Sequence, residues 1–398
     1  MKIAALSVGG FRSLRDVTWK PGDLNVVIGP NGSGKSNLLR LLETISVSSR
    51  GQLGKHVKAM GGIDPLLWDG KATQIEWKLK TSPVDPSRDA AQDSLTYEAA
   101  LVRIGKSSSY RVDQEMLGNY RRVETGERNS PFKLLDRRGT HARVFDEDER
   151  GFVAPEESVL EEETLLSLAA GPFGYNRFIP PYRQQLAGWT VYHDIHVNQD
   201  ASIRQSAVSR LEKRVDADGQ NLISVLHTLY TGDRDFKREI DAAMNAAFGD
   251  DFEELVFPPA ADQRIQLRVR WKSLSREQSA ADLSDGTLRF LLLLTVLASP
   301  DAAPVIAIDE PETGLHPSML PIVGEYAVDA SQRSQIILTT HSPQLLDAFK
   351  DTVPTTTIAL WADGHTILKT VEGDVLQRWL KGYSLGHLFR SGELEDLA

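Results

Sequence analysis

Residues 29–36 read Gly29-Pro30-Asn31-Gly32-Ser33-Gly34-Lys35-Ser36, directly after the apolar run Leu24-Asn25-Val26-Val27-Ile28. A buried strand, a glycine-rich turn and a following helix are what a triphosphate requires: glycines let successive backbone N–H groups turn inward, and the helix points its positive end at the anion. Lys35 is expected to reach the β- and γ-phosphates, and Ser36 to ligate Mg²⁺. The candidate nucleotide-binding residues are therefore Gly29, Pro30, Asn31, Gly32, Ser33, Gly34, Lys35, Ser36 and the adjoining Asn37.

Two further strands carry polar motifs at their carboxyl ends, where open α/β sheets place ligand sites. Val305-Ile306-Ala307-Ile308-Asp309-Glu310 ends in paired acids; Asp309 suits the metal, and Glu310 suits the general base that polarises an attacking water. Thr339-Thr340-His341-Ser342-Pro343 follows Gln335–Leu338 and places His341 as a γ-phosphate sensor. Leu283-Ser284-Asp285-Gly286-Thr287 opens the apolar helix expected over Leu288–Ala298. Its amides offer an anion site, although on these residues alone a plain helix cap at Ser284 is the commoner reading.

The elements around these residues fall into blocks. Residues 1–50 carry three short strands, Ile3–Val8, Leu14–Trp19 and Leu24–Ile28, then the loop and a helix from Lys35 to about Thr44. Over 51–155 the pattern alternates as in an antiparallel β lobe, with a loop at Pro83–Asp93. Over 156–260 the apolar period becomes mainly helical, through Leu160, Leu165, Leu166 and Leu168 and again through Leu222–Tyr230, with irregular chain at Phe173–Tyr182 and a strand at Trp189–Val197. Residues 261–398 return to alternating strands and helices.

The chain has 398 residues, 41% hydrophobic and 25% charged, enough for one large domain or several lobes. The absence of cysteine excludes disulfides and thiolate zinc and fits the cytosol. Phe290–Ala298 is too short to span a bilayer, so no membrane association is expected. A net charge of −10 argues against a globally cationic nucleic-acid binder but leaves room for a local basic groove.

The order of phosphate loop, Leu-Ser-x-Gly, strand with Asp-Glu, and histidine resembles the ABC-type ATPases, in their RecF and SMC branch. Gly29–Asn37, the opening Gly10-Phe11-Arg12-Ser13-Leu14, and Asp309-Glu310-Pro311-Glu312-Thr313-Gly314-Leu315-His316-Pro317 resemble the OLD-like bacterial ATPases of the predicted AAA type. The resemblance implies a P-loop NTPase of α/β class with an antiparallel β lobe and an inserted helical lobe, using ATP and Mg²⁺. It further implies an ATP-dependent homodimer in which Ser284 and Gly286 contact the γ-phosphate held by the other copy, Thr313–His316 lines the seam, and His341 is the switch histidine. DNA or a separately encoded effector such as a nuclease is the expected partner, in repair or phage defence. The rival readings are a transporter's nucleotide-binding subunit and a non-hydrolysing regulator.

Three features depart from that family. Asp285 stands where many relatives have glycine and could cap the helix or pair with Arg289, and no glutamine stands out as a metal-contacting loop residue. The middle insertion lacks heptads, excluding an SMC cohesion protein. After His341 the acids Asp374, Glu393, Glu395 and Asp396 are scattered among apolar residues, which suggests a docking tail rather than a TOPRIM nuclease. For nucleic acid, Arg264, Arg268, Arg270 and Lys272 alternate with Ile265, Leu267, Val269 and Trp271 as either a phosphate-tracking stripe or a solvated strand face; Arg204, Arg210, Lys213 and Arg214 form a second candidate. His193 and His196 face opposite ways if their segment is a strand, which argues against a metal pair.

Overall fold

The computed structural model describes residues 1–84, 94–120, 122–123, 126–127, 131–155, 158–169, 176–349, 352–371 and 373–396. The loop expected at Pro83–Asp93 lies outside them from residue 85, as do residues 173–175 of the irregular stretch and the side chains of Glu395 and Asp396. The chain forms two compact units, one from Met1–Gly22, Ile28–Trp189 and Thr357–Thr370, the other from Asp23–Val27, Thr190–Thr356 and Val371–Ala398.

In the first unit an eight-stranded sheet runs in the order Gly151–Val153, His141–Asp146, Phe132–Arg138, Tyr110–Asn119, Thr96–Arg103, Gln74–Thr81, Ile3–Phe11 and Leu14–Trp19. Each described pairing in it is antiparallel. Gln74–Thr81 alternates exposed and buried residues, with Ile75, Trp77 and Leu79 inward, as a sheet covered on one face requires. The first two strands thus join the same sheet as the β lobe. The phosphate-loop helix runs Lys35–Ser48, a turn beyond the expected end, and buries Leu38, Leu39, Leu41, Leu42 and Ile45. Ser46 Oγ at its end donates to the carbonyls of Leu186 and Trp189, at 3.0 and 3.2 Å.

Glu115 is a buried carboxylate in this unit, accepting from the amides of Leu165 and Leu166 at 2.6 and 2.9 Å and from the Tyr97 hydroxyl at 3.0 Å. It thereby ties the short helix Leu165–Leu168 to strand Tyr110–Asn119. Arg137 donates to the carbonyls of Leu160 and Glu163, at 3.2 and 2.7 Å, and holds the preceding loop. Leu160 sits in that loop, 62% exposed, rather than on a helix, because the helix starts only at Leu165. Within the stretch expected to be irregular, Ile179–Ala187 is helical, since prolines at the first helical positions need no intrahelical N–H partner.

In the second unit the parallel strands Thr190–Tyr192, Val305–Asp309 and Gln335–Thr340 lie side by side, shorter at the first strand than the expected Trp189–Val197. Residues 23–27 accompany the last of these: Ile336 N donates to Asp23 O at 2.8 Å, and the buried Asn25 amide donates to Ile336 O at 2.9 Å. Helices Leu222–Gly232, Arg234–Phe248, Asp285–Ala298 and Leu320–Ser331 belong to this unit. Asp285–Ala298 is buried nearly throughout from Thr287, which explains its apolar sequence without a membrane. The tail helix Leu385–Ser391 packs on Pro343–Leu346, with Gly386 N donating to Asp347 Oδ1 at 3.0 Å.

Burial raises the Glu115 carboxyl above its ordinary value, opposed by the two amides and Arg137. Folding therefore favours the protonated form: the contribution is complete below the ordinary glutamate range and is lost as pH rises through the raised value. Glu115→Gln, which cannot ionise, is expected to flatten that loss, seen as a smaller fall in thermal midpoint from pH 4 to pH 7 than in the parent chain. An unchanged slope would refute the assignment.

Candidate nucleotide site: the phosphate loop and the acidic strand end

Strand Leu24–Ile28 is buried at every position and delivers the chain into the loop. Two glycines there are sterically required. A Cβ at Gly29, where φ is +146°, would lie 2.2 Å from the Ala359 carbonyl oxygen; one at Gly34, where φ is +99°, would lie 2.0 Å from Thr366 Oγ1 and 2.6 Å from Ser13 Oγ. What fills the space beside Gly34 is a hydrogen-bonded brace. Thr366 Oγ1 lies 2.7 Å from Ser13 Oγ and 2.8 Å from the Ser33 carbonyl, Thr366 N donates to Ser13 O at 2.8 Å, and Asn37 Nδ2 donates to Ser13 Oγ at 2.8 Å. Asn37 therefore braces the loop from its first helical turn.

Lys35 is buried, and its ammonium donates to the carbonyls of Gly29 and Pro30 at 2.8 and 3.1 Å. Ser33 Oγ is buried with no hydrogen-bond partner among the described residues. A glycine-shaped turn, a buried ammonium on its carbonyls and an unpartnered hydroxyl fit a polyphosphate, which supplies acceptors for both. Ser36 follows as the second residue of the helix.

The acids lie in the second unit. Parallel register sets Asp309 opposite Thr339, whose hydroxyl donates to Asp309 Oδ1. Glu310 adopts φ +47°, a left-handed backbone that costs a non-glycine residue about 1–3 kcal/mol and persists only where its surroundings impose it. Here the Glu310 amide donates to both the carbonyl and the hydroxyl of Thr339, at 3.2 and 3.1 Å. The turn sends neighbouring carboxylates to different partners: Asp309 to Thr339, and Glu310 to His341, with Nδ1 3.2 Å from Oε1. Glu312 is a further participant. Its largely buried carboxylate accepts from the Thr340 hydroxyl at 2.6 Å and the His341 amide at 3.1 Å, fixing the backbone that carries His341. Ser36, in the first unit, and Asp309, in the second, each offer a hard oxygen of the kind Mg²⁺ takes. Among the described residues, no group of three or more His, Asp or Glu side chains could hold a metal by itself.

Ser284 caps helix Asp285–Ala298, its Oγ accepting from Thr287 N at 3.1 Å. A Cβ at Gly286 would lie 2.7 Å from the Gly314 carbonyl oxygen, so this position brings the helix start against the loop that follows the acids. Asp285 pairs with Arg204 rather than Arg289. Arg204, one of the second candidate cluster for nucleic acid, is buried; it donates to the carbonyls of Val197, Ala280, Ala281 and Leu283 at 2.7–3.2 Å and so fastens the segment leading into Ser284. Arg289 donates to Ile195 O at 2.9 Å.

The arginine stripe at 264–272 is divided. Arg264–Ile265 pairs with Ala207–Val208 and Pro259–Ala260, whereas Arg268–Trp271 belongs to another sheet, with Phe252–Val256 and Gln278–Ser279. Arg270 pairs with Glu254 and Glu277, Arg268 binds Gln266, and Arg214 pairs with Asp301. Acids thus pair with Arg268 and Arg270, as on a solvated strand face, while Arg264 donates to the Ser206 carbonyl at 2.8 Å.

An Smc head bound to the C-winged-helix domain of ScpA covers 95% of this chain and all of its own length with a TM-score of 0.57 at 14% identity. An Smc head domain with an extended coiled coil, bound to the C-terminal domain of ScpA and derived from Pyrococcus furiosus, gives 0.52 at 13%, covering 96% of this chain and 98% of that one. By sequence, an OLD nuclease of Thermus scotoductus is 22% identical over 358 residues, 86% of this chain and 59% of the relative. The cytochrome c biogenesis ATP-binding export protein CcmA of Cupriavidus necator is 36% identical over 101 residues, 23% of this chain and 44% of the relative. The chain thus spans 59% and 44% of the lengths of the curated relatives it matches.

Fold and motifs together define a P-loop ATPase of ABC type, in its RecF/SMC-like branch. The chain belongs to the AAA_21 family, described as "AAA domain, putative AbiEii toxin, Type IV TA system", which it matches over residues 24–347.

The brace behind the phosphate loop predicts that Thr366→Val, which keeps the side-chain shape, weakens nucleotide binding about 5-fold, the equivalent of one hydrogen bond of ~1 kcal/mol. Titration with a fluorescent ATP analogue, alongside a thermal midpoint to confirm folding, measures it; parent-like affinity would rule the brace out.

Proposed function

We propose that this chain is a Mg²⁺-dependent ATPase whose ATP-bound form pairs with a second copy and acts as a switch or clamp on DNA or on a partner effector. The observation that carries the reading is the strained Glu310, whose carboxylate faces His341 next to the strand-end Asp309. Strain at a position where asparagine or glycine would sit more easily is retained for what a carboxylate does there.

In this reading Lys35 and the loop amides hold the β- and γ-phosphates, and Ser36 with Asp309 holds the magnesium ion. The ion supplies charge neutralisation on the transferring phosphoryl group. Glu310 accepts the proton of the attacking water, and His341 orients that carboxylate. Ser284 and Gly286 of the second copy complete the γ-phosphate contacts, Arg204 and the Gly286–Gly314 approach holding them in place. The paired arginines at 268–270 favour a partner effector over a DNA backbone at that strand. A separately encoded nuclease is one candidate for that effector, and the proposed setting is the cytoplasm, in repair or phage defence. Among the described residues no helix is long and apolar enough to cross a membrane. The transporter reading finds support only in the short CcmA likeness.

Lys35→Ala is expected to lose nucleotide binding altogether. Glu310→Gln is expected to bind ATP, to lose turnover by about 100-fold or more, the scale of general-base catalysis, and to accumulate as a dimer on size-exclusion chromatography with ATP and Mg²⁺. Parent-like turnover in Glu310→Gln would remove the base. Failure of low-salt DNA to bind or stimulate the parent chain would leave the effector as the target.

A further inference from the structure

The ATPase reading assigns Asp309 to the metal but leaves one of its sheet neighbours unexplained. Strand Thr190–Tyr192 pairs in parallel with Val305–Asp309 in the register Thr190↔Ile306, Val191↔Ala307 and Tyr192↔Ile308. The next residues along are His193 and Asp309. Their side chains meet with Nδ1 3.5 Å from Oδ2, and both are mostly buried, 9% and 15% exposed. On the other flank, Thr339 contributes its hydroxyl to Oδ1. At the carboxyl ends of three adjacent parallel strands His193, Asp309 and Thr339 thus lie in a row, in which each oxygen of the central carboxylate faces a group from a different neighbour.

The consequence is orientational. A carboxylate held by one oxygen can still rotate about its terminal torsion, which is broad and roughly two-fold. Contacts to both oxygens fix the plane, and with it the lone pairs left for a metal. Partners of this kind around a ligating carboxylate typically account for 10–100-fold in metal affinity.

We propose that His193 is a positioning residue for Asp309: its ring fixes the second carboxylate oxygen and so sets how tightly the magnesium-linked nucleotide is held. This inference rests on the assignment of Asp309 to the metal.

Two substitutions separate this role from simple space-filling. His193→Leu keeps bulk and removes the polar contact; His193→Asn keeps an amide donor near the position of Nδ1. The measurement is binding of a fluorescent ATP analogue against Mg²⁺ concentration, with a second titration in EDTA. His193→Leu is expected to raise the Mg²⁺ needed for half-maximal strengthening by about 10-fold or more, with EDTA binding unchanged, and His193→Asn to recover most of the difference. Unchanged Mg²⁺ dependence in His193→Leu overturns the proposal, and so does an equal loss in both variants accompanied by a lowered thermal midpoint. A parent chain whose nucleotide binding does not respond to Mg²⁺ would instead overturn the assignment of Asp309 itself, and the role of His193 with it.

Discussion

The register between strands Val305–Asp309 and Gln335–Thr340 is the constraint on which the acidic site depends. Because these strands are parallel and in step, Thr339 falls beside Asp309, and one residue supplies a hydroxyl to the first acid and both a hydroxyl and a carbonyl to the amide of the second. A slip of one residue would turn Thr339 to the opposite face, since strand side chains alternate. The left-handed turn at Glu310 would then lose the hydroxyl that helps to hold it. Apolar burial secures the register: Ile306, Ile308, Ile336 and Leu338 all lie in the core.

The phosphate loop obeys a different economy. Nothing about it depends on strand register within its own turn; it depends on close approach, with glycine at 29 and 34 because a carbonyl and a hydroxyl occupy the space a side chain would take. Satisfied polar groups behind the loop make it a rigid mould, whereas the front keeps a buried hydroxyl unpartnered and an ammonium resting on carbonyls. Rigidity behind and an unpartnered buried hydroxyl in front suit an anion.

The motifs that declare chemistry were legible because they are local. Glycine spacing, paired acids after an apolar run and a histidine after a strand need only a few consecutive residues. Helix Lys35–Ser48, strand Leu24–Ile28 and the buried helix after Ser284 follow from the same short-range patterns. What could not be read were partners drawn from distant sequence. Arg204 looked like one of a basic cluster, yet its surroundings are the carbonyls of 280–283, more than seventy residues away. His193 looked like half of an improbable metal pair, because only the register of a three-residue strand reveals Asp309 as its neighbour. The arginine stripe departed in a third way: alternation over nine residues was read as one strand, with a solvated face as one of its two readings, but the chain changes sheets at Gln266–Leu267, and the acids at 254 and 277 that pair with Arg270 come from outside it.

Thr366 has a consequence for how the protein is made. The unit that contains the phosphate loop takes residues 28–189 and then waits for 357–370, and the hydroxyl that braces the loop is 333 residues downstream of the carbonyl it touches. A chain emerging from the ribosome at roughly 5–20 residues per second therefore presents its nucleotide motif early and its brace at least fifteen seconds or so later. Until then only Ser13 and Asn37 stand behind Gly34, and the brace lacks its link to the Ser33 carbonyl. The motif and its brace are thus separated in time as well as in sequence: a product stalled before residue 366 carries the full motif but lacks one of the residues that stiffens it.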